Sequence, residues 1–223
     1  MPVDATRVAA RMSAPTGDAR ADRWRAHRAT VKADLIEATL QAIDEYGPDL
    51  SIDDVVKTAG VPRPKLYRFF TDKETLFSSA IMSKCTEQLP LLFFELPAGK
   101  PIKDVLLNIA RGFQVLINSE ESLNLHRLMV ALGSQDPKLS QIFLEAGPER
   151  VVHEMEGLLR KMDQSGALQI DNPHYAAEHF FCMLKGAPNF RLLFAGGEPP
   201  GPEESEAHVQ EVVGIFMRAY QPV

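Results

Sequence analysis

Cysteine is nearly absent from this chain: Cys85 and Cys182 are the two in 223 residues, too few for a disulfide framework and without metal-site spacing. They read as buried, reduced thiols. No apolar run is long enough to span a membrane, and residues 1–30 lack the apolar centre of a secretory signal, so a soluble cytoplasmic protein with no membrane partner is expected. The six histidines, His27, His126, His153, His174, His179 and His208, form no HExxH pair. GxSxG, GxxxxGK[ST] and GxGxxG are missing too. The adjacent acids Glu120-Glu121 and Glu203-Glu204 suit solvated helix ends better than acid–base chemistry. The expectation is no catalytic site, no metal and no cofactor.

What is present is helical patterning and unevenly distributed charge. The net charge of −6 does not describe the first third of the chain, because residues 1–75 carry 12 Lys/Arg and 12 Asp/Glu. Cations also cluster there: five from Arg20 to Lys32 against Asp22, and four from Arg63 to Glu74 against Asp72 and Glu74. Such local patches suit phosphate contacts, while an acidic remainder limits nonspecific adhesion to DNA.

The stretch from Ser51 to Phe77, SIDDVVKTAGVPRPKLYRFFTDKETLF, carries most of the information. Ile52, Val55, Val56 and Ala59 recur at i, i+3, i+4 and i+7, the stripe of an amphipathic helix. Ser51 and Asp54 suit its start, and Gly60 with Val61-Pro62 suits its end. A short turn then opens a second helix, with Arg63 extended just outside and Pro64 in the first turn. Leu66, Phe69 and Phe70 point inward on this reading. Arg63, Lys65, Tyr67 and Arg68 are left for base edges and phosphates. Thr71 and Glu74 predict a second capping box, with Lys73 beside exposed backbone donors. Together these features read as a DNA-binding helix-turn-helix, the blander reading being a helical corner with a solvated basic face.

Ahead of it, residues 1–24 predict a flexible arm; Arg20, Arg23, Arg25 and Arg28 suit a minor groove or the phosphate backbone, the alternative being a solubilising tail. The first helix is expected from near Thr30, with Leu35, Ile36, Thr39, Ile43 and Tyr46 on one side and Gly47-Pro48 ending it.

This region resembles the N-terminal domain of the TetR family of bacterial one-component transcription regulators. The resemblance rests on Ala59-Gly60-Val61, on Leu66-Tyr67 with Phe70, and on Lys73-Glu74 with Leu76. Pro62 and Pro64 depart from the family pattern of Ser or Thr followed by a small residue. The resemblance implies a homodimer on a near-palindromic operator of double-stranded DNA. Tyr67 and Lys73 would clamp phosphates, with Arg28, Ser51, Arg63, Pro64, Lys65 and Arg68 completing the DNA face.

The rest of the chain is helical, giving an all-α fold divided into the arm 1–24, a helix-turn-helix domain 25–75 and an effector-binding and dimerisation domain 76–223. The stretch from Leu125 to Gly186 resembles the effector domain of the AcrR and AefR-like branch. A largely apolar small-molecule effector is expected in a cavity lined by Phe93, Phe113, Leu116, His126, Met129, Phe143, Met155, Phe180 and Met183, although core packing explains each residue as well. Pro188 is expected to bend the penultimate helix. The last two helices have broad apolar faces, so Phe181, Leu184, Leu192, Val209, Val213, Phe216, Met217 and Tyr220 are expected at a dimer interface, unless those faces are consumed within one chain. The reading that follows is a repressor released by its effector. The alternative from another class is a DNA-silent ligand-binding or protein-interaction module on the same scaffold.

Overall fold

A computed structural model describes residues 17–92, 94–133, 137–195 and 197–222. Ten α-helices follow one another and no strand occurs among the described residues. They are α1 (Gly17–Tyr46), α2 (Ile52–Ala59), α3 (Arg63–Leu66), α4 (Lys73–Gln88), α5 (Ile102–Asn118), α6 (Glu120–Leu132), α7 (Pro137–Ala146), α8 (Pro148–Gln164), α9 (Pro173–Ala195) and α10 (Pro202–Tyr220). The all-α expectation holds. The start of α1 does not: it begins at Gly17, so residues 17–24 of the expected arm are helical, and residues 1–16 lie outside the described part. Arginine and alanine favour a helix even where no apolar stripe announces one.

Two hydrophobic clusters organise the chain. The first gathers Leu35, Ala42 and Ile43 of α1, Val55 of α2, Leu66 and Phe70 of the α3 region, and Leu76, Phe77 and Ile81 of α4. It continues through Cys85 of α4 to Leu125, Leu128 and Met129 of α6 and Phe143 of α7. The second is built from α5, α8, α9 and α10. Helix α4 therefore runs from beneath the N-terminal head into the larger body.

Local chemistry fixes the head. Ser51 and Asp54 form a reciprocal capping box: Asp54 N–H donates to Ser51 Oγ at 3.3 Å, and Ser51 N–H donates to Asp54 Oδ2 at 2.9 Å. The Ser51 hydroxyl also donates to Asp54 Oδ2, and that bond foremost, with the one from Ser51 N–H, holds the Asp54 carboxyl below its usual pKa. Helix α2 stops at Gly60, whose left-handed backbone (φ 61°) suits a residue without Cβ. Helix α3 starts one residue earlier than expected, because Pro62 supplies the extended N-cap and Arg63 is already helical. The cap of α4 also moves, from Thr71 to Asp72, whose Oδ1 accepts from Thr75 N–H at 2.7 Å. A carboxylate complements the positive helix end better than a hydroxyl does.

The break in α9 falls at Gly186 (φ 53°), two residues before the proline expected to bend it. Pro188 has no N–H for the carbonyl four residues back, Leu184, and Gly186 takes the turn that results. The Leu184 carbonyl is satisfied from elsewhere: Gln114 Nε2 of α5 donates to it, and His208 Nε2 of α10 lies 3.0 Å away. Beyond the break, Arg127 of α6 donates to the Leu192 and Leu193 carbonyls at the far end of α9. These polar ties fix α9 across α5, α6 and α10.

Candidate nucleic-acid interface and effector cavity

The head presents the side chains expected of a reading surface. Arg63, Pro64, Lys65, Tyr67 and Arg68 are exposed, while Leu66 and Phe70 are buried and Phe69 is half-buried. Arg63 is not free in this state: its Nε lies 3.0 Å from Asp53 Oδ1 of α2. Arg28 stacks over Trp24 at 5.0 Å and Phe69 at 5.4 Å, so α1 braces the segment that follows α3. Lys32 lies 5.5 Å from the Phe70 ring. Ser51 is committed to capping α2.

Lys73 departs most from expectation. Its ammonium donates to the Leu50 carbonyl at 3.3 Å and lies 5.0 Å from the Phe77 ring, so it is turned into the head. Asp72 occupies a backbone donor at the same helix start, and Glu74 pairs with Lys138 of α7. Helix propensity and capping signals do not encode these tertiary partners, which make the start of α4 less receptive to a phosphate than the sequence suggested.

A cavity of about 390 Å³ lies between α4, α5, α6, α8 and α9 and the junction of α7 with α8. Of the expected lining residues, Phe113, Leu116, His126 and Phe143 do line it. Phe93 lies outside the described residues. Met129, Met155 and Phe180 are buried in the core instead, and Met183 packs against the second cluster. Helical periodicity identifies an inward face without distinguishing packed core from cavity wall.

Sequence reasoning missed most of the polar rim: Gln88, Ser122, Glu178, His179, Cys182 and Lys185 line the cavity along with Cys85 and Phe181. Cys85 is buried, and desolvation pushes its thiol up to about 11. Cys182, in contrast to the expectation of two buried thiols, is exposed.

The expected interface residues are mostly used within one chain. Phe181, Leu184, Leu192, Val209, Val213 and Phe216 are buried, and Met217 and Tyr220 pack partly buried against the same core. Phe180 meets Phe216 edge-on at 5.0 Å, which closes the α9–α10 pair from inside. What α9 and α10 leave in solvent is a different set: Tyr175, Phe190, Phe194 and Ile215, with the Phe190 and Phe194 rings stacked at 6.1 Å.

No described helix is long and apolar enough to cross a membrane, and no group of three or more metal-ligating side chains occurs among the described residues. A helix-turn-helix head joined by α4 to a larger helical body defines a DNA-binding regulator by its build. Residues 35–80 match the model of the bacterial regulatory proteins of the tetR family, and residues 104–222 match that of the AefR-like transcriptional repressor C-terminal domain. The chain belongs to the TetR family of transcriptional regulators. Members of that family are transcription factors rather than enzymes.

Relatives agree. An uncharacterized HTH-type transcriptional regulator of Mycobacterium tuberculosis is 27% identical over 153 residues, 67% of this chain and 62% of the relative. The chain thus spans less than two thirds of that protein. A crystal structure of a TetR-family regulator from Mesorhizobium loti superposes with a TM-score of 0.80 at 27% identity, covering 87% of this chain and 98% of that one. The flavonoid-responsive regulator FrrA follows with a TM-score of 0.74 at 26% identity and the same coverage.

Proposed function

We propose that the chain is a repressor that binds a near-palindromic operator as a homodimer and leaves it when a small, largely apolar effector fills the cavity. The observation that carries this reading is the course of α4. Leu76 and Phe77 belong to the cluster that holds Leu66 and Phe70 behind the reading surface, whereas Cys85, Gln88 and Leu89 at the other end border the cavity. A ligand that changes the pose of one end of a packed helix changes the other, because packed cores are not continuously deformable. Moving the two poses from 1:99 to 99:1 needs roughly 5.5 kcal/mol of differential affinity. FrrA, described as flavonoid-responsive, supports a small-molecule effector by analogy.

Arg63, Lys65, Tyr67 and Arg68 are the proposed DNA contacts, with Arg28 bracing the head. The proposed dimer face is the exposed set Tyr175, Phe190, Phe194 and Ile215. Large aromatics left in solvent along one helix are the kind of surface a second copy covers. Two-fold symmetry then places the reading heads about one helical turn of DNA apart or somewhat wider.

Selection of bound fragments from a genomic library tests the reading, with an Arg63→Ala, Tyr67→Ala double variant alongside. Enrichment of a palindrome by the unaltered protein and not by the variant is the expected result. Equal enrichment by both, or by neither with the unaltered protein shown folded and ligand-free, would overturn it.

A further inference from the structure

The cavity's apolar walls are interrupted by polar side chains with hydrogen-bonding capacity to spare, Lys185 and His126 among them. Lys185 sits on α9 next to the Gly186 break and makes no ion pair or hydrogen bond among the described residues. Glu178, the one carboxylate on the lining, is two turns away along α9, with Oε1 3.6 Å from His174 Nε2. Across the cavity, Nδ1 of His126 lies 2.7 Å from the Ser122 carbonyl oxygen, so Nδ1 carries the proton and donates. A neutral imidazole protonated at Nδ1 has an acceptor lone pair at Nε2. No buried side-chain nitrogen or oxygen among the described residues lacks a partner. The unpaired Nζ of Lys185 and Nε2 of His126 therefore open onto space rather than into packed core.

We propose that Lys185 and His126 together select the effector's chemical class, an aromatic acid that also carries a hydroxyl group. The ring occupies the apolar volume beside Phe113, Leu116 and Phe143. The acidic oxygen pairs with the Lys185 ammonium, and the hydroxyl donates to His126 Nε2. A cationic ligand meets the ammonium as a like charge, and a wholly apolar one leaves both polar groups dry and unpaired, a penalty that a matched ligand avoids. Two further features agree. Burial pushes the Lys185 pKa down, so an anion beside it offsets what burial costs the charged form. Burial foremost, with Lys185 adding to it, also pushes the His126 pKa down, which keeps the imidazole neutral and able to accept. The volume of about 390 Å³ falls within the range of small-molecule sites, roughly 300–1,000 Å³.

This inference rests on reading the cavity as the effector site, and its test separates the two. Calorimetric titration of the full chain uses 6-hydroxy-2-naphthoate, 2-naphthoate and 2-naphthylmethylamine, with release of the selected operator followed in parallel. The hydroxy acid should bind most tightly and the amine at least about tenfold more weakly, the scale of a charge-assisted hydrogen bond. Lys185→Met should cost both acids about tenfold or more and spare the amine, while Lys185→Arg recovers much of the loss. His126→Phe should erase the advantage of the hydroxy acid over 2-naphthoate. Thermal melting of each variant shows that it is folded. Tightest binding by the amine, unchanged acid affinity in folded Lys185→Met, or no binding by any probe would overturn the inference. Operator release by the amine alone would do so too while leaving the repressor reading intact. Lysine-dependent acid binding that leaves the operator complex untouched would uphold the ligand class and overturn the effector reading.

Discussion

Gln114 of α5 donates its side-chain amide to the Leu184 carbonyl of α9, a hydrogen bond between residues seventy positions apart that closes the gap left by Pro188. Gln114 is 7% exposed, so neither group has easy access to water as a substitute. Gln114→Leu leaves the carbonyl to His208 alone and removes the acceptor for Asn118 Nδ2 at 2.9 Å. The expected loss is about 1–3 kcal/mol of unfolding free energy by chemical denaturation. A change within a few tenths of a kcal/mol would show that the bond is dispensable.

The two cysteines should differ sharply in reactivity, because the thiolate is the nucleophile. Cys85 is buried with its thiol pushed up to about 11, and a Cβ added at Gly147 would lie 3.1 Å from its sulfur, so the surrounding packing is close. In a Cys182→Ser variant, a disulfide reagent at pH 8 should release almost no chromophore from the folded protein. It should release one equivalent after denaturation. Rapid labelling of the folded variant would refute the packing around α4.

The bridge between Arg111 and Glu206 ties α5 to α10, with Nη2 to Oε1 at 2.6 Å and Nε to Oε2 at 2.8 Å. Arg111 chiefly, with Gln210 helping, holds the Glu206 carboxyl down at about 2, against an ordinary 4.5. A carboxyl depressed on folding contributes stability that is present above its unfolded pKa and lost as pH falls toward the folded value. Glu206→Gln should therefore lower the melting temperature at pH 6 more than at pH 3. The gap should also narrow in high salt, since the pair is solvent-exposed. A gap that widens on acidification would exclude this role.

Much of the head was legible in sequence because its signals are local. A capping pair at Ser51 and Asp54, a left-handed stop at Gly60 and a 3.6-residue stripe each act within one or two turns. Pro137 at the start of α7, Pro148 at the start of α8 and Gly166 just past its end are local signals of the same kind. What was not legible depends on partners distant in sequence. Lys73 reaches Leu50, Arg63 reaches Asp53, and the α9 break is completed from α5 and α10. Apolar periodicity also shows that Leu184 and Val213 face inward without telling a core from a dimer seam. The cavity was half visible: its aromatic wall followed that pattern, whereas Lys185 and Gln88 carried no signal that separates a rim from a solvated surface.

The proposed dimer face predicts an asymmetry between two kinds of substitution on the last helices. Phe194 is 79% exposed and stacks on Phe190, so Phe194→Glu removes little packing from a single chain. It places like charges on both copies if that face meets its two-fold mate. Sedimentation should show a shift toward monomer, with little change in helicity. Phe216→Glu, at a fully buried site, should instead unfold the chain. An unaltered dimer in the Phe194 variant would move the interface elsewhere.

With Arg63 as a proposed DNA contact, Asp53 is its competitor within the chain. The guanidinium that the reading surface offers is engaged at 3.0 Å by a carboxylate one helix away, on a chain whose head has no excess of positive charge. Binding a phosphate or a guanine edge requires Arg63 to exchange that partner, and the Asp53 charge repels the DNA backbone besides. Asp53→Asn should therefore tighten operator binding in low salt, by a fewfold given how little an exposed pair contributes. It should also steepen the salt dependence, since one more cation is available to displace counterions. Arg63→Ala should remove most of that gain when combined with Asp53→Asn, because the two substitutions act on one contact and do not add. An Asp53→Asn variant whose affinity and salt slope match those of the unaltered protein would show that Arg63 does not meet the DNA.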